Sequence, residues 1–202
     1  KAIELGVDMV ELDVRLCKSG ELMVIHDEKV NRTTNGYGRV KDKTLAELKV
    51  LDDGKEQWIP TLKEVLALID QRVMVNIELK GEKTALPAVE LISIFVEEKG
   101  WDKDLFLASS FDHKELKRFR MFDPFSRVGL LFDKSQDNIF ELAKKLNCYS
   151  VHPSVKLTTK QFVDEAHQNG LRVFVYTVNT PSDFRKLREM GVDGVFSDFP
   201  DW

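Results

Sequence analysis

A repeated alternation constrains this chain more than any other feature. From residue 61 onward, short apolar runs rich in Val, Ile, Leu and Phe are separated by segments with helical spacing of their apolar residues. Short uninterrupted apolar runs are the pattern of strands buried on both faces, and the intervening amphipathic helices supply the cover. Strands are predicted at 9–16 (MVELDVRL), 73–80 (VMVNIELK), 105–110, 127–132, 148–152, 172–178 and 194–198. Helices are predicted at 61–71, 85–99, 113–122, 138–146, 159–169 and 181–190, several closed by a glycine such as Gly100, Gly170 or Gly191. A further short strand, 22–27 (LMVIHD), follows the Lys18-Ser19-Gly20 turn and reads as a hairpin partner of the first. Residues 28–60 are polar and turn-rich, with one short helix near 44–51.

Such a parallel sheet is either an open doubly wound sheet or a barrel. Residues 1–5 read as the end of a helix stopped by Gly6, with no strand before it. Adding the strand expected upstream gives eight, so the predicted fold is a (β/α)8 TIM barrel, class α/β, whose first strand is absent from this chain. No GxGxxG or GxxxxGK[ST] turn is present, which weighs against a nucleotide-binding open sheet. With 202 residues, a single domain over 1–202 is expected, carrying an insertion at about 28–60.

Charge excludes some functions. Lys and Arg number 30 against 34 Asp and Glu, a formal charge of -4, which disfavours nucleic acid as a partner. No apolar run approaches the roughly 20 residues that span a bilayer, so stable membrane insertion is not expected. Cys17 and Cys148 have no metal-like spacing, and a reducing, cytoplasmic location is the expectation.

Polar residues gather at the carboxyl ends of the predicted strands, where barrel active sites are built. Glu11 and Asp13 are two apart and share one strand face; Asn76, Glu78 and Lys80 share another. Three carboxylates directed into one mouth repel each other unless a cation joins them. Oxygen ligands suit Mg2+ or Ca2+ better than Zn2+. The cation and Lys80 would neutralise phosphoryl oxygens, and His26 could move a proton near neutral pH. His152, Thr177, Asn179 and Asp198 also fall at strand ends: His152 is read as a mouth residue, and Asp198 as a structural hydrogen-bond acceptor. The stretch 116–121, with Lys117, Arg118 and Arg120, reads as a solvated helix face, and Trp58 and Trp101 as exposed candidates.

These residues stand in segments that resemble the glycerophosphodiester phosphodiesterase family. The matching runs are residues 6–14 (GVDMVELDV), 18–27 (KSGELMVIHD), 59–62 (IPTL), 76–80 (NIELK), 109–111 (SSF), 175–179 (VYTVN) and 191–200 (GVDGVFSDFP), in the family's order. The resemblance implies a TIM barrel that hydrolyses glycerophosphodiesters to glycerol 3-phosphate and an alcohol with a divalent cation. It implies Glu11, Asp13 and Glu78 as metal ligands, His26 as one of two catalytic histidines and Lys80 beside the phosphate. Tyr176, standing where the family usually has tryptophan, is implied in the pocket wall. The family's His-Arg-Gly and Pro-Glu-Asn-Thr segments are not in this chain. They are expected upstream in a longer parent, and these residues alone are expected to be nearly inactive. The competing readings are a phospholipase D-like or phosphatidylinositol-specific phospholipase C-like lipid phosphodiesterase, and a catalytically inactive barrel.

Overall fold

The computed structural model describes residues 1–135 and 138–201. Its sheet contains β1 (Met9–Leu16), β2 (Leu22–Val24), β3 (Met74–Leu79), β4 (Phe106–Ser110), β5 (Arg127–Phe132), β6 (Ser150–Pro153), β7 (Arg172–Val175) and β8 (Gly194–Val195). The order is β2-β1-β3-β4-β5-β6-β7-β8. β2 is antiparallel to β1, and every other neighbouring pair is parallel. The helices are α1 (Leu45–Lys49), α2 (Leu62–Ile69), α3 (Ala85–Glu97), α4 (His113–Phe122), α5 (Ile139–Lys145), α6 (Lys160–Gln168) and α7 (Pro181–Met190). Setting aside the antiparallel β2, the seven parallel strands are a (β/α)8 fold short of one strand, with an open seam between β1 and β8, which do not pair among the described residues.

Pleat and helical period together explain the core. On β3, Val75, Ile77 and Leu79 are buried against the helix layer, while Asn76 and Glu78 take the opposite face. α2 contributes Leu62, Leu66 and Ile69 to that layer. Its start is set by Thr61, whose hydroxyl accepts from Glu64 N at 3.2 Å while Thr61 N donates to Glu64 Oε2 at 2.7 Å. α7 begins with Thr180 as cap and Pro181 in the first turn, and stops at Gly191, whose φ of 83° favours glycine.

A second, smaller core lies under residues 28–60. It joins Cys17, Met23 and Ile25 to Val30, Val40, Leu48 and Ile59.

Several predicted elements end early for visible reasons. β2 stops at Val24, because Val24 N turns to Pro60 O (2.8 Å) and Ile25 N to Asp13 O (3.0 Å). β7 and β8 end at Val175 and Val195, and beyond them the chain continues in single bonds such as Val178 N to Phe196 O (2.8 Å). The 116–121 stretch is not solvated throughout: Leu116 and Phe119 are fully buried and Arg120 donates to Leu146 O. Trp101 is also buried, edge-on to Phe95 and stacked on Phe106, whereas Trp58 is exposed. Among the described residues, no helix is long and apolar enough to cross a membrane.

Candidate active site

Strand register assembles the acidic group. β1 and β3 run parallel with Glu11 beside Asn76 and Asp13 beside Glu78, so the inward carboxylates of two adjacent strands meet at the mouth. One oxygen from each of Glu11, Asp13 and Glu78 lies within 4.8 Å of the others. Lys80, one pleat beyond Glu78, sets its Nζ 3.1 Å from Asp13 Oδ1 and 3.1 Å from Glu78 Oε1. All three partners of that bridge are mostly buried, at 18%, 19% and 11% side-chain exposure for Lys80, Asp13 and Glu78.

The electrostatics show what the group lacks. Glu11 is exposed on β1, whereas Glu78 is buried, but the Glu11 carboxyl is crowded by the neighbouring acidic groups. Burial, then Asp13 and Glu78, push its pKa up to about 8, with Lys80 pulling the other way. Both neighbouring carboxylates push in the same direction. Burial likewise raises Glu78, opposed by Lys80. Burial alone would lower Lys80, yet attraction to Glu78 and Asp13 outweighs it and the ammonium is favoured. One ammonium among three carboxylates leaves an excess of negative charge, which favours the protonated form of Glu11. A hard divalent cation fits this oxygen donor set and would replace that proton.

His26 reaches the same cavity, of about 1260 Å3, that Glu11, Asp13, Glu78 and Lys80 line. The Ile25 N to Asp13 O bond lays the residue before it against the acidic strand. Its Nδ1 is 2.7 Å from Asp27 Oδ1. Tyr176 also lines the cavity, edge-on to Phe111 with centroids 5.5 Å apart. The Tyr176 hydroxyl donates to Phe132 O at 2.9 Å, and burial, with Asp133 and Glu78, pushes its pKa up. Tyr176 therefore offers the cavity its ring. A separate hollow on α6, lined by Lys160, Gln161 and Asp164, contains none of these groups.

The other strand-end residues divide differently. His152 is not in the mouth: it is fully buried, its Nε2 is 2.7 Å from Ser150 Oγ, and burial pushes its pKa down to about 3. Its ring lies where a Cβ on Gly129 would fall, 2.4 Å from Nε2, so the glycine is required for the histidine to fit. Asp198 accepts from Asn179 Nδ2 at 2.7 Å, the structural role expected of it. His113 bonds Leu131 O, and His167 bonds Asp193. Arg32, which bonds Asp27 from the 28–60 segment, was not anticipated; neither period nor charge pattern marks it. Asp27 was visible only as the neighbour of His26.

A barrel with its ionisable groups converging at the carboxyl ends of adjacent strands belongs to the class of TIM-barrel enzymes. Within that class, the profile of the "Glycerophosphoryl diester phosphodiesterase family" matches residues 1–202, and the chain belongs to this family. The "Glycerophosphodiester phosphodiesterase" of Caldanaerobacter subterraneus is 38% identical, covering 100% of this chain and 86% of that protein. The protein of the same name from Bacillus altitudinis is also 38% identical, over 99% of this chain and 86% of its own length. A solved structure of an Oleispira antarctica phosphodiesterase in complex with the product sn-glycerol-3-phosphate has a TM-score of 0.89 and 32% identity, over 98% of this chain and 84% of that one. A glycerophosphodiester phosphodiesterase from Thermotoga maritima gives 0.80 and 32%, over 99% and 85%.

Proposed function

We propose that this barrel hydrolyses glycerophosphodiesters to glycerol 3-phosphate and an alcohol with the help of one divalent cation, Mg2+ or Ca2+. The observation that carries the reading is the meeting of three carboxylate oxygens within 4.8 Å beside Lys80, in a family of phosphodiesterases. Glu11, Asp13 and Glu78 would hold the cation. When bound, a cation there withdraws charge from a phosphoryl oxygen. Lys80 stabilises a second phosphoryl oxygen as negative charge grows on it, by a short charge-assisted bond. His26 moves a proton at Nε2, since Nδ1 is engaged by Asp27. The ring of Tyr176, with Phe111, walls the cavity against the substrate. We place the cation ligands, Lys80, Tyr176 and one of the two catalytic histidines, His26, in one domain over 1–202, with residues 28–60 shaping the rim.

The experiment is release of glycerol 3-phosphate by the full-length protein from glycerophosphocholine, glycerophosphoethanolamine and glycerophosphoglycerol, with and without a chelator. Turnover is expected to vanish with the chelator, to return with Mg2+ or Ca2+, and to fall on the order of 10²–10⁴-fold in His26→Ala. Chelator-resistant turnover would remove the cation from the reading. Cleavage of lysophospholipids with no release of glycerol 3-phosphate would replace it with a lipid phosphodiesterase.

A further inference from the structure

His26 is poorly held by its own segment. It follows the last residues of β2, its side chain is 62% exposed, and fixing an exposed ring costs rotamer entropy. Two contacts restrain it. Arg15 Nε, on β1, donates to His26 O at 2.9 Å and fixes the backbone. Asp27 Oδ1, 2.7 Å from Nδ1, fixes the ring.

Asp27 is itself gripped. Arg32 Nε donates to Asp27 Oδ2 at 2.6 Å, and Arg32 Nη2 to Oδ1 at 3.0 Å. This two-point fork is the geometry in which a guanidinium orients a carboxylate as well as attracting it. The hydrogen bond from Arg32, and after it that from His26, hold the Asp27 carboxyl far below the usual carboxylate range. An anionic acceptor at Nδ1 keeps the proton on that nitrogen and leaves Nε2 as the atom that exchanges one. Exposed ion pairs contribute little to stability, so fold maintenance is a weak reason for an arginine, a carboxylate and a histidine in this arrangement. The anchor of the fork is firm, however. Arg32 closes a 3-10 turn, Val30–Arg32, whose Val30 is fully buried in the small core.

We infer that Asp27 and Arg32 are positioning residues for catalysis: Asp27 holds the His26 ring with Nε2 toward the acidic group, and Arg32 holds Asp27. Neither touches substrate; both act through His26, so the inference rests on the proposed role of that histidine. The consequence is a chain of restraint from the small core, through Arg32 and Asp27, to the proton-transferring atom.

The test is a mutant cycle on the full-length, cation-loaded protein with glycerophosphocholine as substrate. Asp27→Ala is expected to lower kcat about 10–100-fold and Arg32→Ala about 3–10-fold, with KM within about twofold of the parent. Arg32→Lys keeps the charge without the fork and should recover less than half of the loss. In a His26→Ala background, neither substitution should lower kcat further, because groups that act as a unit are not additive. If Asp27→Ala fails to fold, judged by its thermal melt, Asp27→Asn keeps the side-chain shape and takes its place. Full turnover in His26→Ala overturns the role of the histidine, and the inference with it. A large loss in His26→Ala alongside normal kcat in the Asp27 and Arg32 variants overturns the inference alone. So does a further full loss when Asp27 is removed from His26→Ala.

Discussion

On the β1–β3 side of the mouth, Asp13, Glu78 and Lys80 face one another with Glu11 close by, and their charges do not cancel. On the β6–β8 side, comparable residue types carry no such excess of charge. His152 bonds Ser150 through Nε2 in the interior while its Nδ1 is buried without a hydrogen-bond partner among the described residues, Asn179 bonds Asp198, and Tyr176 has given its hydroxyl to a carbonyl. Both sides present polar residues at strand ends. The difference is net charge rather than partners, since Asp13 and Glu78 both have Lys80 and His152 keeps one unpartnered nitrogen. An excess of one charge remains only on the β1–β3 side, and that excess is what the proposed cation would balance.

The comparison can be broken at several points. The largest effect belongs to Glu78→Gln, which keeps the shape and removes one charge. Turnover should fall on the order of 10²–10³-fold, with weaker cation binding in titration calorimetry. Unchanged turnover would place Glu78 with the scaffold residues.

Next comes the coupling between cation and proton. Glu11, with its pKa near 8, is protonated below that pH and must release the proton when a cation arrives. Apparent affinity should rise by about tenfold per pH unit on approaching pH 8 and then level off. Calorimetry in two buffers of different ionisation enthalpy reads the released proton. The sign for stability follows from the same shift. A carboxyl raised from 4.5 favours the cation-free fold below pH 4.5, and that contribution is lost as pH climbs toward 8.

A smaller effect on turnover is expected from Gly129→Ala. The added Cβ meets the His152 ring, and urea unfolding should show a loss of about 1–3 kcal/mol. kcat should stay within about twofold of the parent in the folded protein. A large fall in kcat at unchanged stability would move His152 to the working side of the mouth. Smallest of all is Asp198→Asn, whose side-chain oxygen can still accept from Asn179. It should change neither kcat nor the urea midpoint measurably.

Alternation revealed much of this to a reader of the sequence. β1, β5 and the helices α4 and α7 have the predicted bounds, because strong period and clear caps coincide there. The acidic group was legible too: a two-residue spacing fixes the strand face, and parallel neighbours bring like faces together. Depth was not legible. His152 and Glu78 both occupy inward strand positions, but only packing decides which one reaches the mouth, and the cue, Gly129 opposite the histidine, lies on another strand. Trp101 was misread for a related reason, since its aromatic partners Phe95 and Phe106 come from the helix before and the strand after it. Arg32 was illegible because its role depends on the fold of the 28–60 segment, where no period operates.

The small core built from Met23, Ile25, Val30, Val40, Leu48 and Ile59 is separate from the large one. His26 follows directly on Ile25, at its margin, while Asp13, Glu78 and Lys80 ride on the main sheet. A protein with two such cores can open locally in one while the other stays closed. Mild denaturant should therefore silence the proposed activity before the barrel melts, leaving the acidic group on the main sheet in place while the histidine proposed to move the proton is released.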